Sequence, residues 1–177
     1  MTMKTINESR HEVLNKILGE LEEQMLAAQL SDAQDEEAVE VLRVVFDEMG
    51  FDSEDGAIGE FFFMPVGGEE DSVQHFVASV TVADDIKEEN KGKLYEALAI
   101  INNYLPCGAF VLDGKRSILS YRLTVPLPMG LSADQLYEEV NIVMGNAVAI
   151  TDQYTDLLLK VNFDGMEVDE VLEALGI

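Results

Sequence analysis

The sequence predicts an α+β domain, an antiparallel sheet with packed helices, on three observations. Apolar residues recur at helical spacing near the start, alternate through the middle, and return to helical spacing towards the end. The chain has 177 residues, 47% of them hydrophobic, enough to build a core without disulfides or a metal. No repeat, low-complexity run or long linker interrupts it. The expected order is ααββαββαα, with an N-terminal helical extension over 1–30 and a single domain over 31–177.

Over residues 8–28, Val13, Ile17, Leu21 and Met25 form one stripe with Leu14 and Leu18 beside it, predicting a first helix. Ser31 or Asp32 then reads as the N-cap of a second. Asp35, Glu36 and Glu37 fall in its first turn, where the helix dipole favours anions. Its inward residues are Ala38, Val41, Leu42, Val45, Phe46 and Met49, and Gly50 stops it. The period then changes. Ile58 to Met64 reads as a strand, Gly67–Asp71 as a turn, and Val73 to Val82 as a strand with Phe76, Ala78, Val80 and Val82 on one face.

A third helix carries Leu94, Leu98, Ile101 and Leu105 on one side, and Pro106 ends it. Cys107–Asp113 and Ser117–Leu127 form a hairpin around Asp113-Gly114-Lys115-Arg116. Its second strand alternates Leu119, Tyr121, Leu123 and Val125 inward with Ser120, Arg122 and Thr124 outward. Pro126 and Pro128 are expected to terminate it. Ser132 caps a long helix whose stripe is Leu136, Val140, Val143, Ala147, Ile150, Tyr154, Leu157 and Val161. A short helix from about Glu167 to Leu175 closes the chain.

Charge excludes two classes of partner. Eleven Lys and Arg against 35 Asp and Glu give −24, which repels nucleic-acid phosphates and anionic lipid headgroups. Charge is also uneven. Residues 91–130 hold Lys91, Lys93, Lys115, Arg116 and Arg122 against only Glu96 and Asp113, a net of +3, so the rest carries −27. That block is either the buried heart of the domain or a surface for self-association or a partner. The N-terminus lacks the apolar core of a signal peptide, and Phe61–Val66 is too short to span a bilayer. Together with a single cysteine, Cys107, this makes a cytoplasmic location the expectation. Cys107 precedes an apolar run and reads as an inert core thiol rather than a reactive one.

Catalytic motifs do not emerge. His11 and His75 stand apart, no Cys/His spacing suits zinc, no Gly-rich loop opens a helix, and no serine motif resembles a nucleophile elbow. Two Asp-Gly pairs imitate calcium loops. In register, Asp55-Gly56 would place Phe51 first and Phe62 twelfth, and Asp164-Gly165 would place Lys160 first and Val171 twelfth. None of these coordinates calcium, so both read as turns. The expectation is a protein without cofactor or catalysis.

Phe61-Phe62-Phe63 is the most suggestive run. On a strand Phe62 points opposite to its neighbours, so both faces meet something apolar. Either helices cover both faces, or the run marks an exposed patch for a partner segment.

The stretch from Leu94 to Val161 resembles bacterial sensory transduction regulators of the YbjN-like family. The residues that carry the likeness are Leu98-Ala99-Ile100-Ile101-Asn102-Asn103, Gly108-Ala109-Phe110-Val111-Leu112-Asp113, the alternating strand Leu119–Val125, and the capped helix from Ser132. With the order of elements, the likeness spans about residues 35–161. The first and last helices depart from it. That family is similar in fold to class I type III secretion chaperones, which implies a sheet with helices against it, an acidic and often dimeric protein, and no catalysis. By that likeness Leu94, Leu98, Ile101 and Leu105 would contribute to a homodimer interface.

The resulting expectation is a chaperone-like or adaptor domain holding a partner protein segment. The alternative is a regulatory module that senses a small molecule or tunes a signalling protein. The surrounding negative charge favours a basic, amphipathic segment, which would add to a sheet edge or lie on an apolar patch near Phe61, Phe62 and Phe63. The first helix is expected to cover the open sheet face or a partner subunit.

Overall fold

The computed structural model describes residues 3–31, 39–52, 55–64 and 73–177. The class is α+β: a six-stranded antiparallel sheet lies against four helices. Helix α1 (Met3–Glu23) leads into β1 (Ala27–Leu30), β2 (Val41–Phe46), β3 (Ala57–Phe63) and β4 (Val73–Ala83). Helix α2 (Lys91–Asn102) follows, then β5 (Ala109–Asp113), β6 (Ile118–Pro128), α3 (Ala133–Leu159) and α4 (Val168–Leu175). The strands lie in the order β1-β2-β3-β4-β6-β5.

Helix α1 ends earlier than its apolar stripe suggests. The N–H groups of Met25 and Leu26 donate to the carbonyls of Glu22 and Leu21, and Met25 takes φ 62°. This left-handed cap reverses the chain into β1. Met25, which fits the stripe by spacing, is therefore 93% exposed. Val13, Leu14 and Ile17 enter the same core as the strands, so α1 packs on the helix-covered face rather than the open one. With β1 also in the sheet, residues 3–30 are part of the domain rather than an extension to it.

The expected second helix is a strand. In β2, Leu42 and Val44 are buried while Arg43 and Val45 are exposed, a period of two. Clustered valines crowd a helix and suit a sheet, and pairing with β3 supplies the hydrogen bonds. Ser31 Oγ accepts from the N–H of Val41, the first residue of β2. Asp32, Asp35, Glu36, Glu37 and Ala38 lie outside the described residues, as does the Gly67–Asp71 turn.

Strand β6 continues through both prolines. Pro126 and Pro128 lie opposite His75 and Val73 of β4, beyond the stretch paired with β5, so no neighbour there needs their missing N–H. Helix α3 starts at the capping box of Ser132 and Gln135. Its buried line drifts from the heptad expectation to Met144, Thr151, Thr155 and Leu158, leaving Ile150, Tyr154 and Leu157 half-buried. A straight helix of 3.6 residues per turn drifts in this way against a seven-residue repeat. The threonine hydroxyls satisfy themselves on the carbonyls of Ala147 and Thr151.

The core forms on one face of the sheet only. It gathers Leu42 and Val44 of β2, Phe61 and Phe63 of β3, Phe76, Ala78 and Val80 of β4, and Leu119, Tyr121 and Leu123 of β6 beneath the helices. The apolar residues at the alternate positions, Val41, Val45, Ile58, Phe62, Val77 and Val111, take no part in it. The sheet thus has a covered face and an open one.

Candidate functional site

The pairing register arranges the open face in rows across the strands. One row reads Ala27, Val45, Ile58, Thr81, Ser120, Val111, from β1 to β5. The next reads Gln29, Arg43, Glu60, Ser79, Arg122, Ala109, and a third Val41, Phe62, Val77, Thr124. The outer two rows carry no charge. In the middle row Arg43 Nη2 lies 2.6 Å from Glu60 Oε1. Both side chains are well exposed, so the pair adds at most about 1 kcal/mol to stability. Arg122 has no acidic partner among the described residues. Counting Asp113 at the end of β5, the described strand residues of the open face include two cations and two anions, within a chain of net −24.

The aromatic run divides between the faces. Phe61 is fully buried, and Phe63 stacks edge-on against Phe76 with ring centroids 5.0 Å apart, so neither can meet a partner. Arg10 of α1 lies 5.0 Å over the Phe63 ring and donates to Gln74, and burial lowers its pKa to about 10. Phe62 alone is presented, half-buried between Val41 and Val77. Gly59 makes room for this arrangement, since a Cβ there would come within 2.6 Å of the Phe61 ring.

Most of the residues expected at a dimer interface are enclosed within the protomer. Leu94, Leu98 and Ile101 are buried in the protomer's own core, and Leu105 packs against it half-buried. The stripe that suggested an interface is the stripe that holds α2 to the sheet.

Asn102 has a structural role at the sheet edge that spacing could not reveal. Its Oδ1 accepts from the N–H of Phe110 at 2.8 Å, and its Nδ2 donates to the Phe110 carbonyl at 3.0 Å. The side-chain amide thus takes the place of a neighbouring strand on the free edge of β5. An asparagine in the last turn of a helix before a strand was the available signal. The opposite edge, β1, is only four residues long. Edge addition is disfavoured at both ends.

The remaining polar groups serve packing. The Tyr121 hydroxyl donates to the Cys107 carbonyl at 2.7 Å, and burial pushes the phenol pKa up. Cys107 is half-buried against the core. His11 lies 2.7 Å from Glu40 and from Asn15, while His75 stands exposed on the open face. Among the described residues no group of three or more His, Cys, Asp or Glu could hold a metal, and no helix is long and apolar enough to cross a membrane. A shallow cleft of about 260 Å³ between α3 and α4 is lined by Tyr154, Leu157, Met166 and Leu175 with Lys160. It falls below the roughly 300–1,000 Å³ usual for small-molecule sites.

The fold and this surface define an α+β domain with one face of its sheet open. Comparison with known proteins gives no match, whether by family model, by curated sequence or by solved structure.

Proposed function

We propose that this chain is a non-catalytic protein-binding domain, chaperone-like or adaptor in role, that holds a segment of another protein on its open sheet face. The observation that carries this reading is the open face itself. It bears an apolar cluster of Val41, Val45, Ile58 and Phe62, with no net charge among its described strand residues, on a chain of −24. A sheet this wide normally buries an apolar face or uses it. With the β5 edge closed by Asn102, laying an amphipathic segment across the face is favoured over adding a strand. Acidic surroundings steer basic segments to it, an attraction that weakens as salt rises.

The test compares tagged wild-type protein with Phe62→Ser in native lysate at low and high salt. The expected result is a stoichiometric protein retained by the wild type, released by high salt, and lost from the variant, while both melt at similar temperatures. Equal retention by the two folded proteins refutes the open face as the binding surface.

A further inference from the structure

We infer that in the free protein the open face is closed by a second copy of the same chain, face to face, and that a partner segment must displace it. This rests on the reading of that face as the protein-contact surface. The open face is self-complementary. Place a two-fold axis between two sheets, parallel to β4 and passing over Ser79. Such an axis exchanges positions equally far to either side, so the β3 member of each row faces the β6 member of the other copy. Glu60 then meets the second copy's Arg122 and Arg122 meets its Glu60, two ion pairs from one operation.

The same axis sets Phe62 against Thr124 in the third row, and Ile58 against Ser120 in the first. Arg122, a cation that finds no acid among the described residues of its own chain, gains one. Moving the axis half a strand towards β3 would oppose Arg43 to Arg122, and centring it on β3 would oppose Glu60 to itself. Charge therefore selects one register. Face-packed sheets lie about 10 Å apart and cross at about 30°, which side chains one strand from the axis can still span.

Size and charge agree with this. The six strands extend roughly 24 Å from β1 to β5 at about 4.8 Å spacing, and 11-residue β4 and β6 are about 36 Å long. The face is thus on the order of the 800 Å² per partner that a stable interface needs. Two chains of −24 repel each other over any acidic surface, and among the described strand residues this face holds as many cations as anions. Salt screens the remaining repulsion, so self-association tightens with salt where binding of a basic segment loosens.

Sedimentation of the full chain at 0.05 and 0.5 M salt tests the inference. Expected is a dimer of twice 19.6 kDa, tighter at the higher salt. Glu60→Arg and Arg122→Glu should each weaken it at least tenfold. An equimolar mixture of the two variants should associate again, because each then meets its opposite charge at both contacts. As a measurement free of charge changes, Ser79→Cys in a Cys107→Ser background should be joined to a covalent dimer by a short bismaleimide. Asn146→Cys on the exposed side of α3 should not. A monomer under all conditions overturns the inference, as does a dimer indifferent to both charge variants or cross-linked through position 146 alone. Those results leave the partner reading intact, which fails instead if Phe62→Ser and wild type retain the same protein equally.

Discussion

The two faces of the sheet are built from alternate residues of the same strands and meet opposite demands. On the covered face, Leu42, Phe61, Phe76 and Tyr121 are fully shielded by helices. On the open face, Arg43, Phe62 and Arg122 stand one residue away from Leu42, Phe61 and Tyr121 and take no part in that core. Burial on one side contributes to folding whatever the chain binds. Apolar surface left on the other side contributes nothing to the isolated fold and becomes useful only when something covers it. The contrast separates residues that stabilise from residues that recognise, and Phe61 and Phe62 fall on opposite sides of that line.

The sharpest test of the contrast is truncation within the aromatic run. Phe61→Ala should cost about 3–5 kcal/mol, because the ring is wholly enclosed and its neighbours cannot collapse into the space. Denaturant unfolding measures it, and a loss below about 1 kcal/mol would mean that the covered face is not the core. Next in size is Asn102→Ala, which strips the Phe110 N–H and carbonyl of their partners. About 1–3 kcal/mol should be lost, and the freed β5 edge should raise concentration-dependent aggregation, read by light scattering.

Phe62→Ser, on the open face, should change folding stability by about 1 kcal/mol or less, the scale of cross-strand pair contributions. A thermal melt that collapses in this variant would make Phe62 an ordinary core residue and erase the distinction between faces.

The smallest effect lies at the hairpin tip. The N–H groups of Lys115 and Arg116 donate to Asp113 Oδ1 and hold its pKa below the ordinary 3.8. A depressed carboxylate contributes stability above 3.8 and loses it as pH falls through the folded value. The stability gap between wild type and Asp113→Ala should therefore close on acidification below 3.8. A gap that stays constant would show that the carboxylate's charge has no part in the turn.

Much of the fold was legible because local periodicity and burial coincided. The alternation of Leu119, Tyr121, Leu123 and Val125 against Ser120, Arg122 and Thr124 reports a strand with one covered face, and the structure places each residue as its parity requires. Ser132 and Gln135 mark the start of α3 by a local hydrogen-bond exchange that needs no distant residue. Where spacing served two structures it misled. Val41, Leu42, Val45 and Phe46 fit a helical stripe as well as a strand, and only a vacant place beside β3 decided between them. Likewise Leu94, Leu98 and Ile101 would look the same to the eye in a dimer interface as in a core, since both bury an apolar stripe.

By itself, then, the sequence determined the α+β class, the hairpin parities, the capped long helix, the acidic charge and the facing of Phe62 opposite to Phe61 and Phe63. These follow from residue type and neighbours within a few positions. The tertiary structure decided which face of the sheet the helices cover, that β1 and β2 extend it, that Asn102 closes the β5 edge, and that Arg43, Glu60 and Arg122 stand in one row. Each of these depends on which strands lie side by side, a matter of packing residues far apart in the chain, and no periodicity within one segment records its neighbour.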